Sequence, residues 1–83
     1  MKKYKHRADH NQAEIVRDLR KMGISVELGH DDILVGYRGV TYWFEIKQNK
    51  KSPLTPSEEK RKVEWKGQYF IVTSLDDILK EIK

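Results

Sequence analysis

Asp32 to Lys47 reads DILVGYRGVTYWFEIK, the stretch on which the fold turns. Ile33, Val35 and Tyr37 alternate with Leu34 and Gly36, and after Arg38-Gly39 the alternation resumes as Val40, Tyr42, Phe44 and Ile46. A period of two belongs to strands, so the stretch predicts a β-hairpin turning at Arg38-Gly39. With those two residues as the loop, Tyr37 opposes Val40, Val35 opposes Tyr42 and Ile33 opposes Phe44, which makes one nearly continuous apolar face. On the other face Gly36 meets Thr41, Leu34 meets Trp43 and Asp32 meets Glu45, with Lys47 two residues further along the same side.

Opposed residues of an antiparallel pair have Cβ atoms roughly 4.5–5.5 Å apart, and like charges placed there are destabilising. At an effective dielectric near 20, two such carboxylates repel by roughly 3–4 kcal/mol, less where solvent reaches them. Two readings follow. Asp32 and Glu45 are ordinary solvent-side strand acids, or they are a ligand pair for a hard divalent cation such as Mg²⁺ or Mn²⁺, which would reverse the sign of the interaction. In the second case Lys47 points at the same water or phosphate.

Asp32, a hydrophobic run and then Glu45-Ile46-Lys47 resemble the PD-(D/E)XK nuclease signature. The wider string DILVGYRGVTYWFEIK is similar to the small stand-alone phage and bacterial type of the VRR-NUC branch of that superfamily. Asn11 to Val16 (NQAEIV), Leu54-Thr55-Pro56 and the closing strand-helix extend the likeness over nearly the whole chain. The resemblance implies a restriction-endonuclease-like α/β core and a Mg²⁺- or Mn²⁺-dependent endodeoxyribonuclease. Asp32, Glu45 and the carbonyl of Ile46 would hold the metal, Lys47 would act on the attacking water, and Glu14 would join through the first helix. It also implies a homodimer acting on branched DNA such as a four-way (Holliday) junction. The family often has Pro before the motif aspartate, where this chain has Asp31; register favours Asp32, because Asp31 would face the core side with Ile46. Where the family tends to carry Gln after Thr-Pro, this chain has Glu58.

Eighty-three residues make one domain near the lower limit for a single unstapled core. With 37% hydrophobic and 36% charged residues the chain is globular rather than disordered, and the lack of cysteine excludes disulfide, zinc-thiolate and thiol chemistry. No apolar run approaches the ~20 residues of a membrane span, and KKYKHR lacks a secretion signal's apolar stretch, so a cytoplasmic location is expected, and the resemblance implies a bacterial or phage-infected cell. The net charge of +4 is clustered. Lys2, Lys3, Lys5 and Arg7 form an N-terminal arm over residues 1–8, ahead of a nuclease domain at 9–83. Lys50 and Lys51 follow the signature strand, and Lys60, Arg61 and Lys62 sit on a helix. These clusters suit a phosphate backbone, or simply a solvated surface.

Along the chain, a first helix is expected over about residues 10–22, with Ile15, Val16, Leu19 and Met22 on one face and Gly23 as its stop. Asn11 and Glu14 have the spacing of an N-cap and its partner acid, the alternative to a metal role for Glu14. His6 and His10 read as surface residues. Ile24 to Leu28 make a short strand with Ile24, Val26 and Leu28 alternating inward, and His30 in the following loop falls opposite Lys47. Gln48 to Pro53 form a polar basic loop. Thr55-Pro56-Ser57-Glu58 is a helix start with a capping box, and that helix, running to about Lys66, has only Val63 and Trp65 as apolar residues. Tyr69 to Thr73 form a last strand whose YFIV suits the interior of a sheet, and Ser74 caps a final helix with Leu75, Ile78, Leu79 and Ile82 as its buried stripe. The predicted order is α-β-β-β-α-β-α, a mixed central sheet flanked by helices.

A catalytically inactive DNA-binding or assembly module on the same fold is the competing expectation. A small RNA-binding domain is weaker still, since the strands lack the RNP-type aromatic pattern.

Overall fold

The hairpin forms in the predicted register. In the computed structural model, which describes residues 8–29, 32–49 and 51–82 and side chains from residue 12 onward, β2 (Asp32–Tyr37) pairs antiparallel with β3 (Val40–Ile46). Asp32 faces Glu45, Ile33 faces Phe44 and Tyr37 faces Val40. The two loop residues both take positive φ, 55° at Arg38 and 80° at Gly39, as a type I′ turn requires to follow the twist of its strands.

Around the hairpin the order is α1 (Ala8–Lys21), β1 (Ser25–Leu28), β2, β3, α2 (Pro56–Glu64), β4 (Tyr69–Val72) and α3 (Leu75–Ile82). The sheet runs β1-β2-β3-β4 in space, with β1 antiparallel to β2 and β4 parallel to β3, so the molecule is α/β with a mixed four-stranded sheet. Helix α2 is the crossover that the parallel pair needs. The inner face carries Val26, Ile33, Val35, Tyr42, Phe44, Ile46 and Val72, all buried with Ile15, Val16 and Leu19 of α1 and Ile78 and Ile82 of α3. Helices α1 and α3 touch each other on that side. The other face, with Asp32, Trp43, Glu45 and Tyr69, is left to α2.

Several expectations need correction. Helix α1 begins at Ala8, ahead of Asn11, so Asn11 lies inside the helix and Glu14 is not the partner acid of a cap there. The start also places Ala8 in the helix rather than in the arm. At the other end the Gly23 amide reaches the Arg20 carbonyl at 3.0 Å and the Ile24 amide the Leu19 carbonyl at 3.1 Å, a Schellman closure made possible by φ +82° at Gly23. That closure leaves Met22 in the turn, 51% exposed, instead of on the buried face. Leu28, at the end of an edge strand, is 58% exposed. Strand β4 is the other edge of the sheet, not interior to it. Its apolar run is explained by cover on both faces: Phe70 and Val72 meet the core, while Tyr69 lies beside Trp43.

Helix α2 starts as its sequence predicts. Thr55 Oγ1 accepts from the Glu58 amide at 3.2 Å, and Glu58 Oε1 accepts from the Thr55 amide at 2.9 Å. The helix stops at Glu64, short of Lys66, because Trp65 takes an extended backbone and sets its ring edge-on to Trp43, with centroids 4.7 Å apart. In α3 the Ser74 hydroxyl accepts from the Asp77 amide at 3.2 Å, the predicted cap.

Candidate functional site: an acid pair closed by an arginine

The outer face of the β2–β3 ladder brings Asp32 and Glu45 side by side, and β4 and α2 supply the rest of the cluster. Asp32 is pinned from three directions. Its Oδ2 accepts from Trp43 Nε1 at 2.6 Å, and its carbonyl accepts from the Gly29 amide at 2.8 Å and from Gln12 Nε2 at 3.3 Å. A Cβ on Gly29 would collide with the Asp32 carboxylate, so that glycine leaves the space the carboxylate occupies.

Glu45 is 1% exposed. Its Oε1 accepts from the Tyr69 hydroxyl at 3.3 Å and from Arg61 Nη1 at 3.4 Å. The same Nη1 lies 3.9 Å from Asp32 Oδ2, so one guanidinium answers both carboxylates. Arg61 also lies over Trp43, 4.4 Å from the ring centroid, and 6.0 Å from that of Tyr69. Lys47, just past β3, forms a 2.7 Å ion pair with Glu58 Oε1, both side chains being nearly buried.

These contacts set the protonation pattern. Glu45 is pushed up to about 7, first by burial, then by a hydrogen bond to Glu58 and by the charges of Glu58 and Asp32, with Lys47 opposing. Burial alone would raise Glu58 as well, but the Lys47 ammonium, the Thr55 amide and the Glu45 hydrogen bond hold it below the usual carboxylate value. Glu45 is therefore the more easily protonated of the two. Burial and then the Glu45 charge push Tyr69 up to about 12, against the pull of Arg61. The repulsion expected from the opposed acids is thus relieved within the chain by the Arg61 guanidinium, and further by protonation of Glu45 as pH falls below about 7.

Of the residues singled out from sequence, Asp32, Glu45 and Lys47 come together, and Ile46 lies between the last two with a buried side chain. Glu14 is exposed on α1, and it is Gln12 of that helix that bonds to Asp32. Lys51, Lys60 and Lys62 sit toward solvent, whereas Arg61, grouped with them as a DNA contact, turns inward onto the acids. Lys2, Lys3, Lys5, His6, Arg7, His30, Asp31 and Lys50 lie outside the described residues, as do the side chains of His10 and Asn11.

Gln12, Trp43 and Tyr69 are members that sequence reasoning missed, while Glu58 and Arg61 were read there in other roles, as a helix-capping acid and a DNA contact. A signal existed for most of them. Trp43 shares a strand face with Glu45, and Glu58 and Arg61 follow at helical spacing on one side of α2.

The donor set suits a hard cation. Two carboxylates bear on a point already occupied by positive charge, and Mg²⁺ is held by one or two carboxylates with several waters kept. No three His, Cys, Asp or Glu side chains among the described residues converge so as to hold a metal ion by themselves. Comparison with family models, with curated proteins and with solved structures gave no match.

Proposed function

We propose that this chain is a metal-dependent DNA endonuclease of the PD-(D/E)XK type that hydrolyses phosphodiester bonds, acting on branched DNA as a homodimer. The observation that carries the reading is the facing of Asp32 and Glu45 on the outer side of the sheet, with a cationic group within 4 Å of both. Asp32, Glu45 and the Ile46 carbonyl would hold Mg²⁺ or Mn²⁺, which supplies Lewis acidity and an activated water when bound. The chain's own part is positional. Trp43 and Gly29 orient Asp32, Tyr69 orients Glu45, and the Glu45 proton must leave for Glu45 to act as an anionic ligand. Lys47 would turn from Glu58 toward the phosphate, and Lys51, Lys60 and Lys62 would track the backbone.

The test is incubation with labelled duplex, single-stranded and four-way-junction DNA, with and without Mn²⁺, beside the Asp32→Asn protein. Mn²⁺-dependent cutting that the variant lacks supports the reading. Binding without cutting in any metal supports the second one, a DNA-binding or assembly module without the reaction. That alternative draws on a specific observation: Lys47 is engaged by Glu58, and Arg61 already answers both acids.

A further inference from the structure

Arg61 does something that neither a backbone-tracking arginine nor a structural one needs to do. Its guanidinium stands where a bridging cation would stand. The two contacts are long, 3.4 Å to Glu45 and 3.9 Å to Asp32, against the ~2.7–2.9 Å of a strong charge-assisted bond. The Lys47 to Glu58 pair beside it is 2.7 Å and more deeply buried, so the cluster holds one tight cation and one loose one. Arg61 keeps a way out: its side chain is 29% exposed, and it lies against the Trp43 ring, a surface along which a planar guanidinium can slide. Lys60 and Lys62 flank it in sequence and are exposed, so an Arg61 that swings outward joins other basic groups at the surface.

We infer that Arg61 is an exchangeable counter-cation: it holds the Asp32 and Glu45 carboxylates while no divalent ion is bound, gives way when one enters, and is thereby delivered to a phosphate of the substrate. The inference rests on the metal-dependent reading above. A dication and a guanidinium cannot share a site of this size without strong repulsion, so entry of one requires departure of the other. The displaced guanidinium becomes available as a bidentate phosphate donor only after the metal has arrived. Metal binding and substrate binding are coupled in that way through a single side chain.

Calorimetric titration of Mn²⁺ into the full chain tests this, with Arg61→Gln, Arg61→Lys and Asp32→Asn alongside. Arg61→Gln should take up Mn²⁺ about tenfold or more tightly than the parent, because no charge-assisted contact has to be broken, and Arg61→Lys should lie between them. An unchanged or weaker affinity in Arg61→Gln overturns the inference while leaving metal uptake by the parent, and its loss in Asp32→Asn, in place. Absence of any uptake by the parent overturns both. Removing Arg61 also leaves the acids unmatched, so Arg61→Gln should melt lower than the parent in chelator and recover more on adding Mn²⁺. A second readout follows the ring that Arg61 covers. In a Trp65→Phe background, Trp43 is the remaining indole, and Mg²⁺ should alter its emission when Arg61 leaves the ring. An emission change of the same size after adding Arg61→Gln to that background would overturn the exchange.

Discussion

At the scale of single residues, the site is a problem in placing charge. Glu45 in the folded chain holds its proton up to about pH 7, whereas the unfolded chain releases it near 4.5. Between those values the folded form binds more protons, so stability falls as pH rises through the window and is level above it. The fall amounts to a few kcal/mol at most, since a tenfold change in proton affinity corresponds to about 1.4 kcal/mol. Glu45→Gln should flatten that dependence, which urea unfolding across the window would measure; parallel curves would mean that Glu45 titrates as a surface acid does. Glu58 works in the opposite direction, its contribution being present above the ordinary carboxylate range and lost on acidification below it. Asp32→Asn keeps an oxygen for the Trp43 indole, so we expect little change in metal-free melting together with loss of metal uptake. Asp32→Ala loses that bond and should cost about 1–2 kcal/mol. The acid pair was legible from register alone, because alternation and a two-residue turn leave no freedom in which residues face each other. Arg61 was not, since nothing in a run of Lys60, Arg61 and Lys62 says which of the three turns inward until the place of α2 over Trp43 is known.

At the scale of elements, some features follow from local rules and others only from tertiary packing. The capping box at Thr55 and the stripe of α3 follow from near neighbours and were readable as such. The edge position of β4 was not, because an apolar tetrapeptide looks the same whether it is covered by strands at both sides or by helices and aromatic rings above and below. Arg38 carries the cost of a non-glycine residue at φ 55°, offset in part by its guanidinium over the Tyr37 ring at 5.2 Å. Arg38→Gly should therefore raise unfolding free energy by about 0.5–1 kcal/mol without affecting metal uptake, and a loss of stability would show that the stacking outweighs the backbone strain. Helix α2 buries only Glu58, so its amides should exchange with solvent well before those of α1 and α3. Thr55→Ala should cost about 1 kcal/mol and speed that exchange further, measurable by hydrogen-exchange mass spectrometry.

At the scale of the molecule, one face of a sheet carries the whole hydrophobic core and the other carries the polar cluster. The backbone trace measures 41 × 32 × 20 Å, thin in one direction, as a single sheet with helices mainly on one side must be. Under the proposed function, with a net charge of +4 on so small a body, DNA affinity should fall steeply with salt, by close to one power of salt concentration for each phosphate neutralised. A flat dependence between low and moderate salt would remove the case for backbone contacts. The hairpin also sets its turn and its acid pair at opposite ends of one ladder. Its turn closes the Tyr37 and Val40 end of the ladder, while the acids stand at the opposite end, about 17 Å away along strands that rise about 3.4 Å per residue. A fluorophore carried at position 38 would therefore ride clear of the acid cluster, so that under the proposed function the remote tip of the hairpin could report the arrival of DNA without disturbing the residues that would act on it.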